Sequence, residues 1–371
     1  MHVLDLTMFW SGQGGGVMRY LRAKNAYLEG VPGARHTIVV PGRLGAQPPE
    51  IPGIPIPFGA GYRLPHDPKA VRRVLGALAP DLIEAGDPYH LAWAALRAGA
   101  DRGVPVAAFY HSDMPELARR AFGDYAQRAA ARYVRRLYRR FDTVFAPSRY
   151  VAARLGELGI ERVIHQPLGV DTELFDPSRR ASGWRTRHGI DAGARVLLYV
   201  GRYASEKNLD VLVGAVARLG PPYLLVTIGG GPLVPRGPRV LALPYESLPW
   251  QLASAYASAD LFVHAGDQET FGLAVLEALA SGLPVVGCAQ GAVGELIDPL
   301  VGAAVERCTV DAFVEAIGAL AARDPVPLAR RARERAQAYE WNSVLAALYG
   351  HYADLVGAGA LPLPPPERHA A

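Results

Sequence analysis

Residues 268–287 read QETFGLAVLEALASGLPVVG, an apolar, short-sided stretch that keeps two carboxylates, Glu269 and Glu277, eight positions apart. Charged side chains are seldom buried without a partner, so a core-like segment holding two of them needs ion pairs or a polar ligand. A second charged group stands in VGRYASEKNLD (200–210), where Arg202 and Lys207 precede a helix expected to start near Asn208. Two cations at a helix N-terminus oppose the macrodipole unless an anion lies among them. A planar guanidinium fork and a point-charge ammonium together suit a diphosphate. The plain alternatives are a solvated Glu269, Glu277 paired with a neighbouring arginine, and Lys207 paired with Glu206. His111, in AAFYHSDMPE (107–116), directly follows a strand-like run. Ligands of open α/β sheets bind beyond the carboxyl ends of strands, which sets a functional His111 against a merely structural one.

The glycine-rich turn SGQGGGVMRY (11–20) leads from the first strand into a helix, and its amides suit a phosphate. The dinucleotide fingerprint G-x-G-x-x-G fails there: counted from Gly12, the third glycine position is Val17. The second strand, HTIVVPGR, also lacks the acidic end that would hold a ribose, which disfavours a dinucleotide oxidoreductase. No D-x-D occurs, the ten histidines show no metal-ligand spacing, and no G-x-S-x-G is present. The chemistry left is neutralisation of a departing diphosphate by cations and helix amides, without an evident metal.

The elements that must position these groups follow from periodicity. DLFVHA (260–265) reads as a strand and GDQET as a loop; Thr270 is placed to cap a helix running from about Gly272 to Ser281. Gly282 and Pro284 end that helix, and PVVG begins another strand. The same alternation fills the chain. HVLDLT, HTIVV, DLIEA, VPVAAFY, TVFAPS and RVIHQ are strand-like, with helices expected at 17–29, 67–79, 89–100, 115–140 and 148–157. After the loop-like PLGVDTELFDPSRR (167–180), strands resume with ARVLLYVG, YLLVTIGG, RVLALP, DLFVHA and LPVVGC, separated by helices such as 207–219 and 247–258. This predicts an α/β chain with parallel sheets covered by helices on both faces. At 371 residues, two domains are expected. We place them at 1–168 and 169–340, with a last helix at 341–356 and a disordered tail, 357–371, ending in LPLPPPERHAA.

Half the residues are hydrophobic and a fifth charged, as in soluble globular proteins. Cys288 and Cys308, the two cysteines, make no disulfide framework and read as buried thiols in a reducing compartment. MHVLDLTMFW opens directly as a strand, without a basic leader or a long apolar run, so a cytoplasmic location is expected. The net charge of +4 is uneven: between Leu117 and Phe141 eight arginines face one aspartate, net +7, which leaves −3 for the remainder. Arg128, Arg132, Arg135 and Arg139 form one helical stripe, with Ala126, Ala130, Leu137 and Phe141 opposite. Such a basic 117–141 helix is a candidate for peripheral contact with an anionic membrane surface on the inner face; a solvated face is the plain alternative. Nucleic acid is not expected as a partner, since no recognition motif accompanies the arginines.

Taken together, these stretches resemble the family 4 retaining glycosyltransferases. Glu269 and Glu277 in ETFGLAVLE match that family's E-x7-E motif, GRYASEKN its G-R-x-x-x-E-K-N segment, and GGGVMRY its first-domain glycine loop. FAPSRYVAARL, PLGVDTELFDP and ASGLPVVGCAQGAVGEL are similar to further stretches, so the resemblance spans nearly the whole chain. It implies a GT-B fold, two Rossmann-like doubly wound domains facing a central cleft, with the donor held mainly by the second. The last helix, containing YEWNSVLAALY, would cross back to the first. By the same resemblance Arg202 and Lys207 carry the diphosphate charge, Glu269 contacts the transferred sugar, Glu277 binds the ribose, and His111 contacts the donor sugar. Thr270 and the amides near Phe271, Gly272 and Leu273 would meet sugar and phosphates, and Gly15 and Gly16 would let the first domain close on them.

The implied reaction moves a hexose, mannose ahead of glucose, from a nucleotide diphosphate sugar to a lipid or glycan acceptor. It would be a same-face substitution with no resident cofactor and no metal. Glu246 or Ser247, in ALPYESLPWQ (242–251), would accept hydrogen bonds from guanine, which favours GDP-mannose over UDP-glucose. A nucleotide-sugar epimerase or hydrolase on a similar fold, and a non-catalytic nucleotide-sugar binding protein, are the competing readings.

Overall fold

The computed structural model describes residues 1–10, 15–42, 50–56 and 61–357. The chain divides into two compact units, Met1–Pro167 with Asn342–Ala371, and Leu168–Trp341. The expected tail beyond Gly357 and residues 11–14 of the glycine loop lie outside the described residues.

The first unit contains β1 (His2–Leu6), α1 (Gly16–Glu29), β2 (Arg35–Gly42), β3 (Glu50–Pro55), β4 (Arg63–Pro65), α2 (Pro68–Ala77), β5 (Leu82–Ala85), α3 (His90–Arg102), β6 (Val106–Phe109), α4 (Met114–Tyr138), β7 (Thr143–Ala146), α5 (Arg149–Glu157) and β8 (Val163–His165). They form one sheet of order β4-β3-β2-β1-β5-β6-β7-β8. Every pair is parallel except β3 and β4, which run antiparallel, a departure from the all-parallel expectation. These two strands escape a sequence reading because EIPGIP carries two prolines and RLP is three residues long. β4 is the edge strand and β3 the next one in, at the margin of the sheet where short and proline-bearing strands gather. The central strands are buried on both faces and so read as continuous apolar runs. The basic helix α4 is interrupted at Gly123, whose backbone (φ 78, ψ −173) is not helical.

The second unit holds α6 (Trp184–Arg187), β9 (Arg195–Val200), α7 (Leu209–Leu219), β10 (Tyr223–Ile228), β11 (Val240–Leu243), α8 (Pro249–Ser258), β12 (Leu261–His264), α9 (Leu273–Ala280), β13 (Val285–Cys288), α10 (Val293–Leu296), β14 (Gly302–Val305), α11 (Val310–Ala321) and α12 (Pro325–Gln337). Its sheet, β11-β10-β9-β12-β13-β14, is parallel throughout. The order reverses direction at β9, so β9 and β12 are adjacent although sixty residues of chain separate them. That adjacency brings the loop after β9, which carries Arg202 and Lys207, beside the loop after β12, which carries Glu269. Ligands of open α/β sheets bind at such a switch point.

The last helix, α13 (Trp341–Val356), packs within the first unit from Asn342 onward. Gln166 donates to the Val344 carbonyl at 3.0 Å, and the Tyr352 hydroxyl donates to Glu84 at 2.5 Å. Glu84 belongs to a buried charged cluster: Lys24 Nζ lies 3.0 Å from Glu84 and 2.9 Å from Asp5. Tyr20 donates to Glu84 at 2.8 Å, and His36 pairs with Asp5.

Candidate active site

The site of the second unit is built from two loops. After β9 the chain passes Gly201 and Tyr203, makes a single 3-10 turn over Ser205–Lys207, and enters α7 through Asn208, held at φ 48. The first of these segments is clamped to the loop after β10. Tyr203 N–H donates to the Gly230 carbonyl at 2.7 Å, and Leu233 N–H returns to Tyr203 at 3.2 Å. A Cβ at Gly229 would lie 1.9 Å from the Gly201 carbonyl oxygen, so the backbones approach more closely than any side chain permits.

Lys207 does not pair with Glu206. Arg202 takes that carboxylate at 2.8 Å, while Lys207 Nζ forms a short ion pair with Glu269 Oε1. His264, the last residue of β12, places Nε2 3.0 Å from the same oxygen. Glu269 is therefore not a solvated carboxylate. Burial would raise its pKa, but the Lys207 ammonium and the hydrogen bond and charge of His264 hold it well below the usual carboxylate range. It is an anion, and so only a hydrogen-bond acceptor. The loop carrying it is braced from below, because Ala292 N–H donates to the Glu269 carbonyl at 2.9 Å.

Thr270 is not the helix cap expected of it. α9 begins at Leu273, and the cap position is Gly272, at φ 99, with no side-chain cap bond. The left-handed backbone there excludes a threonine-type cap, and a Cβ would press Val293 at 3.1 Å. Amides of the first helical turn have no acceptor within the helix, which leaves the Leu273 and Ala274 N–H groups at the end of α9 beside Glu269. Phe271 turns its ring inward against Tyr339, centroids 6.0 Å apart, so only its backbone is suited to a ligand. Glu277, on α9, is 3% exposed and accepts from Tyr256 of α8 at 3.0 Å.

Glu246 accepts from the Leu248 N–H at 2.8 Å, at the entry to α8, and Ser247 is exposed beside it. This loop is apart from the Lys207–Glu269 cluster in sequence but adjoins the segment after β10, since β10 and β11 are neighbours.

In the first unit, His111 follows β6 and stacks on Phe109, centroids 4.5 Å apart with planes inclined by 7°; Tyr20 lies 5.4 Å away. Burial pushes its pKa down to about 3, against the pull of Asp5, so the imidazole is neutral at physiological pH. Gly15 and Gly16 are exposed at the start of α1, with Gly15 at φ 130. Among the described residues, no group of three or more His, Cys, Asp or Glu is arranged to hold a metal ion.

Two family models match the chain, "Glycosyltransferase Family 4" over residues 14–174 and "Glycosyl transferases group 1" over residues 182–339. A GDP-mannose-dependent alpha-(1-6)-phosphatidylinositol dimannoside mannosyltransferase of Mycobacterium tuberculosis is 30% identical, over 94% of this chain and 95% of its own. The chain belongs to glycosyltransferase family 4. A GDP-mannose-dependent alpha-mannosyltransferase of the same species is 38% identical over 61% of this chain, a match that spans 60% of that relative. Among solved structures, sucrose-phosphate synthase from Thermosynechococcus elongatus superposes with TM-score 0.79 at 20% identity, covering 97% of this chain and all of that one. This family 4 glycosyltransferase thus has the GT-B fold and is a nucleotide-sugar-dependent hexosyltransferase.

Several residues of the candidate site of this glycosyltransferase carry no signal in the sequence. His264 sits inside the apolar run DLFVHA and is indistinguishable there from a core histidine. Tyr256 lies on α8, and nothing in its spacing points to Glu277. Asn208 marks only a helix start in the sequence, yet its side chain donates to the Ala265 carbonyl at 3.0 Å and ties α7 to the β12 loop.

Proposed function

We propose that this glycosyltransferase moves mannose from GDP-mannose to a lipid or glycan acceptor, with retention of configuration and without a metal. The observation that carries the site assignment is the Lys207–Glu269–His264 cluster, formed at the carboxyl ends of the adjacent strands β9 and β12. Its cation, with Arg202, suits the departing diphosphate, and its anionic Glu269 suits hydroxyls of the transferred sugar. The N–H groups opening α9 add partial positive charge toward the phosphates. Buried Glu277 is the acceptor for ribose hydroxyls. The neutral His111 can donate or accept a hydrogen bond but does not supply a proton, in keeping with a role in holding the donor sugar. None of these groups needs to act as a nucleophile. The departing phosphate oxygen takes the acceptor proton on the face from which the sugar leaves.

The preference for guanine is supported by relatives whose names specify GDP-mannose, and by Glu246 and Ser247 in the loop assigned to the base. Guanine offers two donors on that edge where uracil offers one.

The acceptor is proposed to be met at an anionic membrane surface. On α4, at the break made by Gly123, Phe122 is 81% and Tyr125 76% exposed, flanked by Arg119, Arg120 and Arg128. Further along, Arg132, Arg135, Arg136, Arg139 and Arg140 line an open depression of about 450 Å³. Exposed aromatics beside arginines suit the boundary between headgroups and acyl chains. Among the described residues no helix is long and apolar enough to cross a membrane.

The test is donor turnover in excess EDTA, with mannosylated phosphatidylinositol as acceptor and a panel of nucleotide sugars. GDP-mannose should be consumed only with acceptor present, giving an α-linked product. Acceptor-independent consumption would favour a hydrolase or epimerase, and a preference for UDP-glucose would overturn the guanine assignment. Loss of activity in EDTA, restored by a divalent cation, would overturn the metal-free mechanism.

A further inference from the structure

The chain has two cysteines, and the second unit brings them together. Cys288 ends β13 and is fully buried, while Cys308 follows β14 and is half-buried, not the buried thiol expected from sequence. β13 and β14 are parallel neighbours with Cys288 opposite Val305. After β14 the chain turns, Thr309 N–H donating to the Arg307 carbonyl at 2.8 Å, and Cys308 comes beside the β12–β13 pair, where His264 lies opposite Gly287, the residue before Cys288. Cys308 Sγ donates to the Ala265 carbonyl at 2.8 Å. That carbonyl is the one held by Asn208, and Ala265 directly follows His264. Asn208 directly follows Lys207. Cys308 is therefore one hydrogen bond from the His264 side of the Lys207–Glu269–His264 cluster and two from the Lys207 side.

We propose that Cys288 and Cys308 are a redox-modification site, a dithiol that a hydroperoxide converts to a disulfide and that loosens the nucleotide-diphosphate site when oxidised. One sulfur attacks the peroxide O–O bond, becoming a sulfenic acid and releasing water. The other sulfur displaces the hydroxyl, the S–S bond forms, and a second water leaves with the remaining thiol proton. Two thiols are oxidised by two electrons and the peroxide is reduced to two waters. The neighbouring Cys308 thiol outweighs burial in lowering the pKa of Cys288, while the neighbouring Cys288 and burial raise that of Cys308. Cys288 is thus the more acidic of the two thiols, and the thiolate is the attacking form. Oxidation removes the Cys308 S–H donor from the Ala265 carbonyl, leaving Asn208 as its side-chain partner, and changes the support of both site loops.

The disulfide itself does not depend on the assigned donor site; its effect on nucleotide binding rests on that reading. The full chain is treated with hydrogen peroxide, digested without reduction, and analysed by mass spectrometry, with GDP affinity measured by calorimetry before and after. A Cys288–Cys308 linked peptide, two hydrogens lighter than the separate thiols, is expected. GDP affinity should fall about fivefold, the effect of roughly one lost hydrogen bond, and return with dithiothreitol. Cys308→Ser keeps a hydroxyl donor for Ala265 and should bind GDP as the reduced protein does, unchanged by peroxide. Free thiols or separate sulfinic acids after excess peroxide would overturn the disulfide. A linked peptide with unchanged GDP affinity, or equal peroxide sensitivity in Cys308→Ser, would overturn its coupling to the site. Failure of the reduced protein to bind GDP would refute the donor-site reading, and the linked peptide would still decide the disulfide.

Discussion

Replacing Glu269 with glutamine removes a negative charge from the proposed donor-site cluster while keeping the shape and one carbonyl acceptor of the side chain. In the protein as it stands, Lys207 is partnered by that carboxylate, and the two side chains are 13% and 20% exposed. A charge-assisted hydrogen bond contributes about 1.5–3 kcal/mol; because both groups are partly reached by water, the lower end applies. The ammonium has three donors, so a diphosphate need not displace Glu269, but it meets a cation whose field is already largely cancelled. In Glu269→Gln the diphosphate becomes the main counter-charge of Lys207. GDP should therefore bind more tightly by about 1.5 kcal/mol, close to tenfold. The transferred sugar, in contrast, loses an anionic acceptor for its hydroxyls. Turnover should fall by roughly 10- to 100-fold, the same 1.5–3 kcal/mol taken from the transition state. The signature is a lower kcat together with a lower donor KM, which marks an interaction that opposed ground-state binding. Calorimetric titration of GDP and steady-state kinetics on the same preparation read both halves, with thermal unfolding to show that the fold survives. Weaker GDP binding by Glu269→Gln would refute the reasoning, because it would mean that Glu269 holds Lys207 in place rather than competing for its charge.

Burial raises Glu84 to about 7, with the charge of Asp5 adding to it and Lys24 opposing. The folded state then binds the extra proton between the ordinary carboxylate range and pH 7, so this group's contribution to stability falls as pH rises through that window. Glu84→Gln should flatten the fall by up to about 3 kcal/mol, or roughly 6–12 °C in Tm between pH 5 and 7.5; equal pH slopes for the two proteins in calorimetry would count against it. Arg202→Ala should lower kcat by about two orders of magnitude, as for other lost donors to a developing charge, and near-wild-type turnover would remove Arg202 from the diphosphate site. Changing Arg128, Arg132, Arg135 and Arg139 to Gln should weaken binding to phosphatidylserine-containing vesicles by about 1 kcal/mol per charge and leave GDP affinity alone. Equal sedimentation with vesicles would return α4 to a solvated face.

Most strands of both sheets were legible because parallel strands covered on two faces need unbroken apolar runs, as in RVLLYV of β9 and LFVH of β12. β14 carries no such signal, for the same reason in reverse: GAAV has little β-branched or bulky character, and it forms a strand because it sits against β13. The carboxylates at 269 and 277 were visible as an anomaly of burial, but not their partners. Lys207 and Glu269 are 62 positions apart and meet only because β12 pairs with β9. Thr270 was a reasonable cap by residue type. What decided the matter was the backbone at Gly272, whose φ of 99 no local composition rule anticipates.

The Lys24 cluster was invisible for a deeper reason. Asp5 and Glu84 are single charges inside apolar strands, each alone looking like an error in the hydrophobic pattern, and Lys24 is one of several charges on α1 with nothing to set it apart. The topology resolves them together, since β1 pairs with β5, and Lys24 lies on α1 one turn after Tyr20. Buried ion pairs are weak evidence for stability, because apolar replacements of similar volume are often as stable or more so. What this cluster supplies is directional. Glu84 accepts from Lys24 and Tyr20 of α1 through one oxygen and from Tyr352 of α13 through the other. An apolar core tolerates small rotations of either helix, but a carboxylate with three fixed donors does not. The Tyr20 ring held this way lies against Phe109 and His111. The last helix of the chain, the helix that follows the glycine loop, and the candidate sugar-binding histidine of the first unit are therefore registered by a single buried carboxylate.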